Sequence, residues 1–162
     1  LEFLIADFWQ KSKLNADGPG LALGKNATNV TDIKGIGGSS LSEPTNPANR
    51  KYPYNKAKES ESGHVFELDD SPGSERVHLF HRSGSFIEIH PDGTVVKKSI
   101  SKDYQITLGD TIQYTKGNIL VSTDGSTSQY SGSSYDLEIA NGDMTIDVKA
   151  GNLNLTVNGN VN

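Results

Sequence analysis

The sequence predicts an all-β protein: an intertwined trimeric β-helix shaped as a triangular prism, preceded by a short β-meander and an extended N-terminal arm with one short helix. Three observations predict it. Glycines recur every eight or nine residues in the C-terminal part, and apolar residues stand at even offsets behind several of them. Short apolar-rich runs separated by turn sequences fill the stretch before the repeat. The composition, 33% hydrophobic with 17 glycines, one Met and one Trp in 162 residues, describes too thin a core for a compact independent globule.

Residues 1–62 read as a connector. Leu1, Leu4, Ile5, Phe8 and Trp9 recur at helical spacing and predict one short amphipathic helix that docks on a surface outside itself. After Leu14 the chain is rich in Gly, Pro, Ser and Asn, and Pro44, Pro47 and Pro53 deny a long helix and favour extended backbone. This stretch reads as an arm lying along a surface, because Leu21, Leu23, Val30, Ile33, Ile36, Tyr52 and Tyr54 are more apolar than a free linker usually is. A flexible tether is the alternative.

Residues 63–98 predict the meander. HVFEL (64–68) leads through the turn DDSPG to ERVHLFHR (75–82), then through SG to SFIEIH (85–90), and through PDG to TVVKK (94–98). Each turn carries a residue suited to positive φ or with a preset φ, and the apolar residues between the turns tend to alternate.

Residues 99–162 hold the repeat. Gly109, Gly117 and Gly125 are eight apart, Gly142 and Gly151 nine, and Gly151 and Gly159 eight. Ile119 and Val121 follow Gly117, Met144, Ile146 and Val148 follow Gly142, and Leu153, Leu155 and Val157 follow Gly151, each at an even offset and so on one face of a strand. Leu137 and Ile139 belong to the same stripe. The intervening positions, such as Asp143, Thr145 and Asn154, are polar. A single-chain β-helix takes about 18 or more residues to travel round three walls, so an eight-residue unit covers one wall and leaves the others to neighbouring chains. Three chains close the prism, with these apolar residues as its core and the glycines as its turns. Burying three aliphatic side chains does not offset the entropy of ordering eight residues, so one repeat alone does not fold. The pattern slips near Gly109, where Ile112 and Tyr114 fall at odd offsets and predict a bulge. STDGSTSQYSGSS (122–134) has no apolar stripe and predicts a looped insertion or a polar-cored stretch.

Charge and composition exclude several functions. A net charge of -5 disfavours nucleic acid as a partner, since such binding needs clustered cations. No apolar run approaches the roughly 18 residues of a membrane helix. Without cysteine there are no disulfides or thiolate metal sites. The start at Leu1, with neither an initiator Met nor a basic leader, reads as a fragment or a processed chain.

Candidate chemical residues have plainer readings. His64, His78, His81 and His90 lack ligand spacing and read as exposed or edge histidines, so neither a metal nor another cofactor is expected. Asp69-Asp70 precedes Ser71-Pro72-Gly73 and reads as aspartate bonding its own turn rather than as a catalytic pair. GIGG (35–38) lacks the strand, helix and Lys-Ser/Thr of a phosphate loop. The acceptor triplets at 26–28, 29–31 and 154–156 arise readily by chance in Asn-Thr-rich sequence. No nucleophile, base and orienting group can be assembled, and no enzyme is expected.

YPYN (52–55), ESGHVFELDDSPGSERVHLFHRSGSFIEIHPDG (61–93) and the Gly-Asx octads resemble the central spike proteins of contractile-tailed phage baseplates and the related valine-glycine repeat spikes of type VI secretion. The resemblance covers about residues 44–162. It implies a homotrimeric needle in the virion's tail baseplate, driven through a host envelope by a contracting sheath. It also implies an upstream baseplate hub or barrel domain and a pointed cap protein at the C-terminal tip, where GNVN (159–162) opens an octad without filling it. The oligosaccharide/oligonucleotide-binding-type barrel usual upstream, and the lysozyme domain of T-even phages, have no recognisable counterpart in this sequence. The competing function is a trimeric tail fibre or adhesin whose polar face, or the loop at 122–134 with Tyr130 and Tyr135 nearby, binds a surface glycan. A calcium-loaded β-roll fails because the GGxGxD pattern is missing.

Overall fold

The computed structural model of the chain describes residues 30–159. The helix predicted near the N-terminus and the first part of the arm lie outside these residues. The described chain divides into two units, residues 30–124 and residues 125–159.

The first unit opens with a small antiparallel hairpin, β1 (Ile33–Lys34) and β2 (Ser40–Leu41), joined through a single 3-10 turn at Ile36–Gly38. Beyond β2 the chain forms neither helix nor strand through Pro44 and Pro47. It then enters an antiparallel meander of five strands in sequential order: β3 (Asn55–Glu59), β4 (Val65–Asp69), β5 (Arg76–Phe80), β6 (Phe86–Ile89) and β7 (Val95–Lys98).

Three of these strands, β5, β6 and β7, lie within the runs that the sequence predicts, and β4 overruns HVFEL by one residue, Asp69, into the predicted turn. The edge strand β3 falls in the stretch read as arm, because NKAKE offers a single apolar residue and no alternation to read. Cross-strand pairing identifies it instead: Ala57 lies opposite Glu67, and Glu59 opposite Val65. The connections are tight. Ser74 donates its N–H to the Ser71 carbonyl, Gly84 to His81 and Gly93 to His90, at 2.9, 2.8 and 3.0 Å. Asp69 behaves as its turn position predicts, its Oδ1 accepting the Ser71 N–H at 3.0 Å.

The apolar core of the sheet is small. Ala57, Val65 and Phe80 are buried, and Phe86 packs against them. From residue 99 to residue 124, and throughout the second unit, the described chain forms no strand ladder of its own and is exposed. Its glycines fall into two kinds. Gly142 and Gly151 have φ of 107° and 101°, which L-residues rarely adopt, whereas Gly109 and Gly117 lie outside that region.

Candidate functional site

The five-stranded sheet has its faces reversed relative to an ordinary domain. Strand alternation assigns Glu67, Asp69, Arg76, His78 and Glu88 to one face, and these charged or polar side chains are buried. Phe66, Leu68, Val77, Leu79, Ile87 and Ile89 occupy the other face, and all but half-buried Leu68 are exposed in the single chain. The cross-strand pairs align the apolar residues into a continuous patch: Phe66 faces Leu79, Leu79 faces Ile87, Leu68 faces Val77, and Val77 faces Ile89. Lys56 and Lys58 flank it on β3, Val95 and Lys97 on β7.

The charged face forms one network. Arg76, at the start of β5, lies between two carboxylates, donating from Nη2 to Glu67 and from Nη1 to Glu88. Arg50, from the arm, forks onto Glu67: its Nε donates to Oε1 and its Nη2 to Oε2, the latter at 2.9 Å. His90 reaches Glu88 from the end of β6 at 2.8 Å. His78 lies 3.7 Å from both Glu67 and Glu88, with its ring against Phe80 and Phe86. Burial alone pushes the Glu67 carboxyl up, but the Arg50 hydrogen bonds and the nearby His78 ring, with the charges of Arg76 and Arg50, outweigh it. The result holds Glu67 well below the usual carboxylate range.

Here the sequence reading of the histidines is corrected. His78 is neither exposed nor at an edge: it is fully buried on the central strand. A polar alternation (Glu67, Arg76 and His78, Glu88) interleaved with the apolar one was the available signal, but alternation does not say which face is covered. His64 and His81 do sit outside the sheet, their rings 4.4 Å apart between centroids. Among the described residues, no group of three or more His, Asp or Glu is placed to hold a metal ion. No described helix is long and apolar enough to cross a membrane.

The repeat residues assigned to a trimer core are uncovered. Ile119, Val121, Leu137, Ile139, Met144, Ile146, Val148, Leu153, Leu155 and Val157 are 44–79% exposed in the single chain. Tyr130 and Tyr135 border a shallow cavity of about 440 Å³ with Gln129 and Ser131. Their exposure matches that of the whole second unit and singles out no ligand.

A two-faced sheet followed by a glycine-spaced repeat defines a class, an all-β structural module. No family profile matches the chain. Over 93 residues, 57% of the chain, it is 44% identical to Protein Gp5 of Vibrio phage KVP40. Over 85 residues, 52% of the chain, it is 40% identical to the pre-baseplate central spike protein Gp5 of Enterobacteria phage T4. The chain is thus a relative of the central spike proteins of phage baseplates. The matches span 22% and 14% of the lengths of these two proteins.

Proposed function

We propose that this chain is the shaft of a homotrimeric central spike in a contractile injection machine, with a mechanical role in piercing a host envelope. The observation that carries this reading is the uncovered apolar surface. In the head, the middle of one sheet face is an exposed apolar patch while the opposite face is buried within the chain; in residues 99–159 the apolar stripe has no strand partner among the described residues. Contiguous exposed apolar surface of this kind marks an association face. A second and a third copy satisfy it under cyclic symmetry, with the apolar sheet faces turned inward and the repeat strands pairing between chains. In that arrangement residues 63–98 form the head, residues 99–162 the prism, and the stripe from Ile119 to Val157 its core.

Stiffness is the mechanism. A shaft whose strands pair between chains leaves no free edge to slip, and its dry core cannot be exposed at one point without disturbing three chains. Likeness to a pre-baseplate central spike protein supports association with other baseplate components, and a hub at the N-terminal side and a cap protein at the C-terminal tip are the partners this reading proposes. The adhesin alternative has no observation in its favour that the spike lacks.

Sedimentation equilibrium of the purified chain tests the reading. The expected result is a single species of three chains that persists on dilution; a stable folded monomer overturns it.

A further inference from the structure

We propose that residues 43–50 are a releasable strap whose hold on the head is set by Arg50, and that the sheet keeps its fold when the strap lifts. Three side-chain anchors fasten this stretch to the sheet. Lys98 Nζ on β7 donates to the Glu43 carboxylate at 2.7 Å, both side chains being 10% exposed. Asn46 Nδ2 donates to Glu88 Oε2 at 3.4 Å. Arg50 closes the strap with its fork onto Glu67, and the Lys51 N–H, bonded to Ser71 Oγ at 2.7 Å, marks its end.

What lies beneath distinguishes the strap from an ordinary covering element. A segment laid over an apolar face cannot lift without exposing that face to water. The anchors of this one end on charged groups, Glu67, Glu88 and Lys98, and the buried face it crosses holds Glu67, Arg76, His78 and Glu88, which water solvates readily, beside a small apolar core of Ala57, Val65 and Phe80. Arg76 also bridges both carboxylates from within the sheet, so each keeps a cationic partner after the strap has gone. The apolar patch is on the opposite face and is untouched by the motion.

The closed state also carries unmet demands. Arg50 Nη1, Arg76 Nε and His78 Nε2 are buried without a hydrogen-bond partner among the described residues. Lifting the strap lets water reach them, which offsets part of the loss of the Arg50 fork. Removing Arg50 therefore has a local remedy. Glu67 is left short of a counter-charge, and the least costly relief is to open the strap and hydrate the carboxylate rather than to unfold the sheet.

Amide hydrogen exchange on the full chain tests this. In Arg50→Ala, exchange at the Ala48 and Lys51 amides is expected to rise by at least about tenfold while β4, β5 and β6 keep their protection. Arg50→Lys, which retains a charge but not the fork, is expected to give a smaller rise at the same amides. Lys56→Ala removes an exposed pair with Asp70 on the other face and should leave both regions unchanged. Loss of sheet protection together with the strap in the Ala and Lys variants overturns the proposal. So does an unchanged strap in both.

Discussion

Replacing Leu79 tests assembly where the head depends on it most. Leu79 lies in central strand β5 between Phe66 and Ile87, and is 55% exposed in the single chain. Burying a Leu side chain wholly is worth about 1.5–3 kcal/mol, so covering the remaining half contributes about 0.8–1.6 kcal/mol per chain and about 2.5–5 kcal/mol across three chains. At 1.4 kcal/mol per factor of ten, Leu79→Ala should weaken association by about two to four orders of magnitude. Leu79→Asp should go further, since three carboxylates would then face one another in a dry interface. Neither substitution touches Ala57, Val65 or Phe80, which are on the opposite face, so the chain itself should keep its strands. Sedimentation across a dilution series, with circular dichroism as the check on fold, reads both effects. If Leu79→Asp sediments as an undiminished trimer, the apolar patch is not the association face and the reasoning from exposure fails.

Further outcomes follow from other parts of the chain. In the repeat, Ile146→Asp should melt at a far lower temperature than Thr145→Asp, because the first lies in the apolar stripe and the second beside it; equal melting would mean that the inward face is misassigned. Gly142→Ala should cost about 1 kcal/mol or more per chain because φ there is 107°, whereas Gly117→Ala should be milder, which thermal denaturation of the two variants compares. Acid should weaken the head through Glu67. Its carboxyl titrates lower when folded than in an unfolded chain, so its contribution is present above about pH 4.3 and is lost as the pH falls towards the folded value. The melting temperature should drop below about pH 4, and Glu67→Gln should flatten that part of the profile.

The meander was legible because its turns are written in residues with one main use. DDSPG, SG and PDG place three breaks, and the runs between them contain β5 to β7 and all of β4 but its last residue, Asp69. Strand β3 was not legible, since Asn-Lys-Ala-Lys-Glu has only Ala57 to bury and gains its place from pairing with β4. The Asp69 turn could be read from spacing alone, because the bond from Ser71 N–H is local. The burial of His78 could not, because its neighbours Glu67 and Glu88 come from other strands and are themselves held by Arg50 and Asn46, from a proline-spaced arm that carries no strand or helix pattern.

That dependence explains why the head has one face to offer and not two. A period-two pattern of charged and apolar residues marks two faces without ranking them, and hydrophobicity alone would put the charged face in water. The ranking is made by what the chain can supply to each face. A charged face needs partners at fixed positions and angles, and this chain supplies them: Arg50 from the arm, Arg76 from the sheet, His90 at the end of β6. The demand of the apolar face is non-directional area, and the described arm lies across the opposite side of the sheet. The carboxylates are thus paired within one chain, and on the proposed reading the apolar surface is left to be covered between chains. The same division holds in the repeat, where Asp147 meets Lys149 in an exposed pair within the chain while Ile146 and Val148 beside them remain uncovered. Association by either unit then draws on the same kind of surface, which favours copies of one chain over a charged partner as the occupant.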